Sequence, residues 1–218
     1  MVSGPLARRN SCYRSFCGGI RRKSERNIMT ISFSLGRKSP ANVAVAAFGV
    51  TEEGLQDPAC RTDLTTDLEA LGFTAKVGQV QLLPQGKQIV AAVGLGPSEK
   101  LVASELRSAA AALARATTKY KSVSCDLAHV SNLPTGTAIR AVVEGMGLAS
   151  YEFGYKSKKS EMQLNKVVLT GSTSASNRKA LNEAIAVLDA VMLARDLVNE
   201  PGWKFNPSKI CQQSISDG

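Results

Sequence analysis

From about residue 42 the chain alternates two patterns. Short apolar runs bounded by Gly or Pro predict strands, and apolar positions recurring every three or four residues predict helices. Asn42 to Phe48 is such a run, closed by Gly49. Arg61 to Leu71 carries Leu64, Leu68 and Leu71 at helical spacing, with Thr62 or Asp63 as N-cap and Gly72 as stop. Ala75 to Leu83 alternates imperfectly through Val77, Gln79, Val80 and Leu82, and Pro84-Gln85-Gly86 reads as a turn before the apolar strand Gln88 to Val93.

Gly94-Leu-Gly-Pro-Ser98 then leads into a helix to about Ala116, with Val102, Leu106, Ala109, Ala110 and Leu113 on one face. Ser98 is its expected cap, and Glu99 suits the positive end of its dipole. Ser122 to Leu127 predicts a strand, Thr137 to Phe153 a helix buried through Ile139, Val142, Val143, Met146 and Ala149, and Leu164 to Thr170 another strand. The last helix is the longest, placing Leu181, Ala184, Ile185, Leu188, Val191, Met192 and Val198 on one stripe before Pro201-Gly202. Strands alternating with long helices imply an α/β fold: a mixed, mainly parallel sheet flanked by helices, macro-domain-like, followed by a long linker helix.

Composition narrows the class. With 218 residues, 44% hydrophobic and 21% charged, the chain has ordinary globular usage and no apolar run of the 18 residues a membrane span needs. Five scattered cysteines, Cys12, Cys17, Cys60, Cys125 and Cys211, form neither a disulfide framework nor a zinc knuckle, which favours a reducing, cytoplasmic setting. The formal charge of +9 is uneven. Residues 1–28 hold six arginines and Lys23 against Glu25, a net of +6, leaving +3 for the other 190 residues. That tail reads as a disordered basic extension: it resembles an organelle transit peptide in composition, yet Met29-Thr-Ile-Ser-Phe leads straight into patterned sequence and serves better as the start. A nucleic-acid partner is not expected of the folded part, though the tail itself could act as a nucleic-acid arm.

Candidate chemistry is sparse. Gly94-Leu-Gly96 between strand and helix invites a phosphate cradle, but Glu99 stands where a third glycine would be needed. His129, the single histidine, follows Cys125 and Asp126, too few ligands for a zinc site, and is expected at a strand end. Cys125 reads as a small core residue. Asp57, Asp63 and Asp67 read as solvated, as do Lys156, Lys158 and Lys159. No G-x-S-x-G, H-E-x-x-H or P-loop occurs. On these residues no catalytic, cofactor-binding or metal-binding position is assigned.

Four stretches in order carry a resemblance. They are Ile89-Val-Ala-Ala-Val-Gly-Leu-Gly96, Val142-Val-Glu-Gly-Met-Gly-Leu-Ala-Ser-Tyr-Glu-Phe153, the long helix, and Ala194-Arg-Asp-Leu-Val-Asn-Glu-Pro201 with Pro207 beyond. Together they resemble the N-terminal domain and domain junction of leucyl (cytosol) aminopeptidases, with Gly202-Trp203 standing where that family usually has Pro-Asn. The resemblance implies residues 29–172 as the N-terminal α/β domain and 173–218 as the linker helix and the truncated start of a catalytic domain. It further implies a two-domain, hexameric metallopeptidase that releases N-terminal residues, leucine favoured, from peptides. Two divalent ions, zinc or manganese, would activate water there on lysine, aspartate and glutamate ligands, including an Asn-Thr-Asp-x-Glu-Gly-Arg segment that this sequence does not contain. Arg195, Asp196, Asn199 and Glu200 match the junction motif and are expected to anchor the linker helix. The alternative is a stand-alone macro-like domain that binds a nucleotide such as ADP-ribose at Gly94 to Ser98.

Overall fold

The structure is a computed structural model and describes residues 31–57, 67–86, 88–152 and 162–200. The basic extension over 1–28, the helix start at Thr62, Asp63 and Leu64, the lysines at 156, 158 and 159, and the Pro201–Pro207 stretch lie outside them.

The strands are β1 (Ser32–Gly36), β2 (Val45–Thr51), β3 (Val80–Gln85), β4 (Gln88–Gly96), β5 (Ser122–Cys125) and β6 (Lys166–Thr170). The helices are α1 (Glu52–Gln56), α2 (Ala103–Ala116), α3 (Leu127–Val130), α4 (Thr135–Ala149) and α5 (Ala175–Asn199), with a helical turn also over 67–70. The sheet runs β1-β6-β5-β2-β4-β3. Every neighbouring pair is parallel except the β3–β4 hairpin. The mixed, mainly parallel α/β sheet is therefore as expected.

Period-2 alternation sorts the strand residues between two cores. Val45, Ala47, Ala91, Val93, Leu95, Val123, Cys125, Val167 and Leu169 join the large core, which also takes in residues of α2, α4 and α5. Val50, Leu83, Val90 and Ala92 join a smaller core closed by Leu68, Phe73 and Ala75. β4 feeds both, which is why its sequence is apolar without a break.

Several boundaries move, each for a local reason. The first predicted strand starts at Val45 and runs to Thr51, because Asn42 to Ala44 precede the ladder with β4. Pro84 and Gln85 belong to β3; an imino residue is tolerated there because β3 is the sheet edge, and the turn falls at Gly86 with φ +58°. β1 and α1 were not expected at all. β1 is a half-polar strand that forms by pairing with β6, register Phe33 to Val167 and Leu35 to Leu169. Leu71 is exposed rather than on a buried face, since the turn over 67–70 ends before it, whereas Leu68 enters the smaller core.

The long helices α2, α4 and α5 pack over the large core, and α3 adds Leu127 and Ala128. In α4, Gly145 and Gly147 are requirements of packing. A Cβ at Gly145 would lie 2.3 Å from the Arg107 carbonyl oxygen on α2, and one at Gly147 would lie 2.3 Å from Cδ2 of Leu188 on α5. Their helix-propensity cost, about 1 kcal/mol each, is offset by two close helix contacts. α4 begins at Thr135, earlier than expected, and ends at Ala149. Across the helix faces Arg107 Nε donates to Glu144 at 2.8 Å, with Nη2 in ion-pair contact at 2.7 Å, and Arg140 pairs with Glu183.

Candidate functional site

Two places could carry function: the carboxyl edge of the parallel strands, where open α/β sheets bind ligands, and the end of α5, where the junction motif lies.

At the carboxyl edge the Gly94–Ser98 loop is already engaged by its own chain. Gly94 N–H donates to the Gln79 carbonyl (2.8 Å) and Gly96 N–H to the Ala75 carbonyl (2.8 Å). Pro97 has no N–H to offer. Ser98 N–H donates to the Glu53 carboxylate at 3.0 Å, and this bond is the main cause holding that carboxyl below its usual range. The glycines are there because the 75–79 segment crosses β4 at backbone contact: a Cβ on Gly94 would meet the Lys76 carbonyl oxygen at 2.2 Å, and Gly96 adopts φ +74° against Val77. With its donors spent and a carboxylate at its mouth, this loop is no phosphate cradle.

Ser98 does not cap α2 either. Residues Ser98–Lys100 form a separate 3-10 turn, and α2 starts at Ala103, where Glu105 reaches back to accept the Val102 N–H at 3.1 Å. The glutamate three residues after Val102 is the signal in the sequence that marks this start.

The neighbouring strand end is equally self-satisfied. Asp126 accepts the Gly49 N–H (2.9 Å), which ties β5 to β2. β5 stops at Cys125, so Leu127 and His129 lie in the short helix α3 rather than at a strand end, and His129 is exposed. Cys125 is buried, and burial, helped by the Asp126 charge, pushes its thiol up to about 12, far from a nucleophile's range. Asp57 and Asp67 are exposed. Among the described residues no three His, Cys, Asp or Glu side chains stand together as a metal-binding group, so the two-metal centre implied by the resemblance does not fit on them.

The end of α5 is different, because its polar side chains converge on the end of α4. Tyr151 Oη donates to Asp196 Oδ1 at 2.8 Å and accepts from Asn199 Nδ2 at 3.1 Å. Arg195 Nη1 donates to the Leu148 carbonyl at 3.0 Å, one of the four carbonyls a helix end leaves without an intrahelical partner. The Arg195 guanidinium also stands 5.3 Å from the Tyr151 ring centroid. Burial, then donation to Asp196, raises the Tyr151 pKa against the opposing pull of Asn199 and Arg195. Helical spacing explains the convergence: Asp196 and Asn199, three apart, share one face, and Arg195 flanks it. Glu200 closes the helix, its N–H donating to the Asp196 carbonyl at 2.9 Å. The junction residues thus form a polar latch, built from the same segments that carry the resemblance.

The family model for the cytosol aminopeptidase family, N-terminal domain, matches residues 43–159. This chain belongs to that family. A probable cytosol aminopeptidase of Geotalea uraniireducens is 32% identical over 169 residues, covering 72% of this chain and 34% of the relative. One from Nocardia farcinica is 29% identical over 201 residues, covering 86% and 37%. Among solved structures, the bottromycin maturation enzyme BotP in complex with Mn is 31% identical with a TM-score of 0.64, covering 78% of this chain and 35% of that one. A mutant of tomato leucine aminopeptidase superposes with a TM-score of 0.74 at 22% identity, covering 88% and 43%, a likeness of fold. The chain spans about a third of the length of the curated relatives it matches. What the family match describes is an N-terminal domain, and none of these matches carries the ADP-ribose reading.

Proposed function

We propose that this chain is the non-catalytic N-terminal portion of a leucyl aminopeptidase-like metallopeptidase. Residues 29–172 form its α/β domain, and α5, within 173–218, is the linker that leads to a catalytic portion. The whole enzyme releases N-terminal residues, preferably leucine, from peptides in the cytoplasm as a homo-oligomer. Its two divalent ions, zinc or manganese, are held by the catalytic portion. The observation that carries this reading is the latch: Arg195, Asp196 and Asn199 of the junction motif bind Tyr151 and the Leu148 carbonyl, which fixes the direction in which the helix leaves the domain.

The test is to read the gene beyond codon 218 in all three frames and assay the longest product. A following segment bearing the lysine, aspartate and glutamate ligands, in a product that hydrolyses leucine p-nitroanilide with Mn²⁺, is the expected outcome. A stop codon followed by unrelated sequence in every frame would overturn it.

A further inference from the structure

We propose that the groove between α2 and the C-terminal end of α4 is a binding site for a small phosphate-bearing anion. This does not rest on the aminopeptidase reading. The groove is an open depression of about 290 Å³ with Arg107, Arg115 and Arg195 around it and Ala111, Gly145 and Ala149 among its small-residue lining. That volume is at the small end for ligand sites. Arg107, Ala111 and Arg115 follow one another at four-residue steps along α2, and Arg195 comes from α5.

The charges do not balance. Arg107 is committed to Glu144. Arg195 donates to the Leu148 carbonyl, a neutral partner, and Arg115 is exposed and has no acidic partner among the described residues. Arg115 therefore remains unpaired over the groove, and Arg195, whose neighbour Asp196 is bonded to Tyr151, adds forked donors beside it. A phosphate group carries about −1.5 to −2 at neutral pH and offers three oxygens to forked guanidinium donors, which matches that excess better than a single carboxylate.

The segments outside the described residues are basic on balance. Residues 201–218 hold Lys204 and Lys209 against Asp217, residues 153–161 hold three lysines against Glu161, residues 58–66 hold Arg61 against Asp63, and residues 1–28 are strongly basic.

The test is calorimetric titration of the full 218-residue chain with inorganic pyrophosphate, which has no base or sugar to add contacts. Saturable one-to-one binding is expected. Arg115→Glu should weaken it at least about tenfold, the loss of one charge-assisted contact. Lys179→Glu makes the same change of charge on the exposed first turns of α5, about 24 Å along the helix from Arg195, and should leave binding within about twofold. If Arg115→Glu fails to fold by circular dichroism, Arg115→Ala takes its place, with a loss of the same sign. The absence of saturable binding, or equal weakening by the Arg115 and Lys179 variants, would overturn the proposal, the second showing only general attraction to a basic chain.

Discussion

The two halves of α5 look alike in sequence and behave differently in the structure. In the first half, Asn177, Leu181, Ala184 and Leu188 are buried, and Leu188 sits in the notch that Gly147 leaves on α4. Beyond Leu188 no residue of the helix is buried, and Val198 is 84% exposed. The first half is held by apolar burial and is part of the fold. The second half rests Met192 against the large core and is otherwise held by the latch to Tyr151 and Leu148, so it is docked rather than buried. One continuous helix thus passes from being core to being connector, which suits a linker.

That contrast can be broken first at its strong end. Leu188→Ala removes a buried side chain and opens space against Gly147, so it should cost about 2–5 kcal/mol of global stability, read as a lower urea midpoint with unchanged slope. An unchanged midpoint would mean the first half is no better anchored than the second.

Asp196→Ala should act locally. Loss of the Tyr151 bond costs about 1 kcal/mol, seen as faster amide exchange over the last turns of α5 with the core strands unaffected. A fall in global stability equal to that of Leu188→Ala would erase the distinction between the halves.

The latch also has a pH signature. The folded Tyr151 pKa lies above its ordinary value of 10, so the folded state holds its proton longer than the unfolded chain does. The stabilisation is fully present below about pH 10 and fades as pH rises through the folded value. Exchange at the end of α5 should accelerate over that range in the natural chain, and less so in Tyr151→Phe. The smallest effect is expected at Val198→Ser, which should change stability by less than about 0.5 kcal/mol.

How much of this was legible in the sequence follows from what each signal measures. The apolar run Gln88 to Val93 marked β4 because that strand is buried on both faces, and the α4 stripe through Ile139, Val142, Val143 and Met146 is buried as its period required. The same period misread Val191 and Val198. Helical spacing reports which residues share a face, and says nothing about whether another element covers it. β1 escaped because Ser32-Phe-Ser-Leu-Gly36 is short and half polar, and its pairing with β6 is a contact between distant parts of the chain. Gly94 and Gly96 looked like ligand-loop glycines because a glycine records close approach without naming what approaches; here it is the Ala75–Lys76 backbone at Gly94 and the Val77 side chain at Gly96. The junction residues were legible as a motif and as anchors. Their partner Tyr151 is named in the same resemblance, but nothing in either segment alone shows that the two meet.

As proposed above, this chain supplies an N-terminal domain and linker and no catalytic group. The direct measurement is Mn²⁺-dependent hydrolysis of leucine p-nitroanilide, run side by side on the 218-residue chain and on a fusion. In the fusion, residues 1–200 replace the region they match in the Geotalea uraniireducens relative. Turnover by the fusion and none by the chain alone is the expected result. Turnover by the chain alone, or a folded fusion that binds Mn²⁺ and stays inactive, would contradict it.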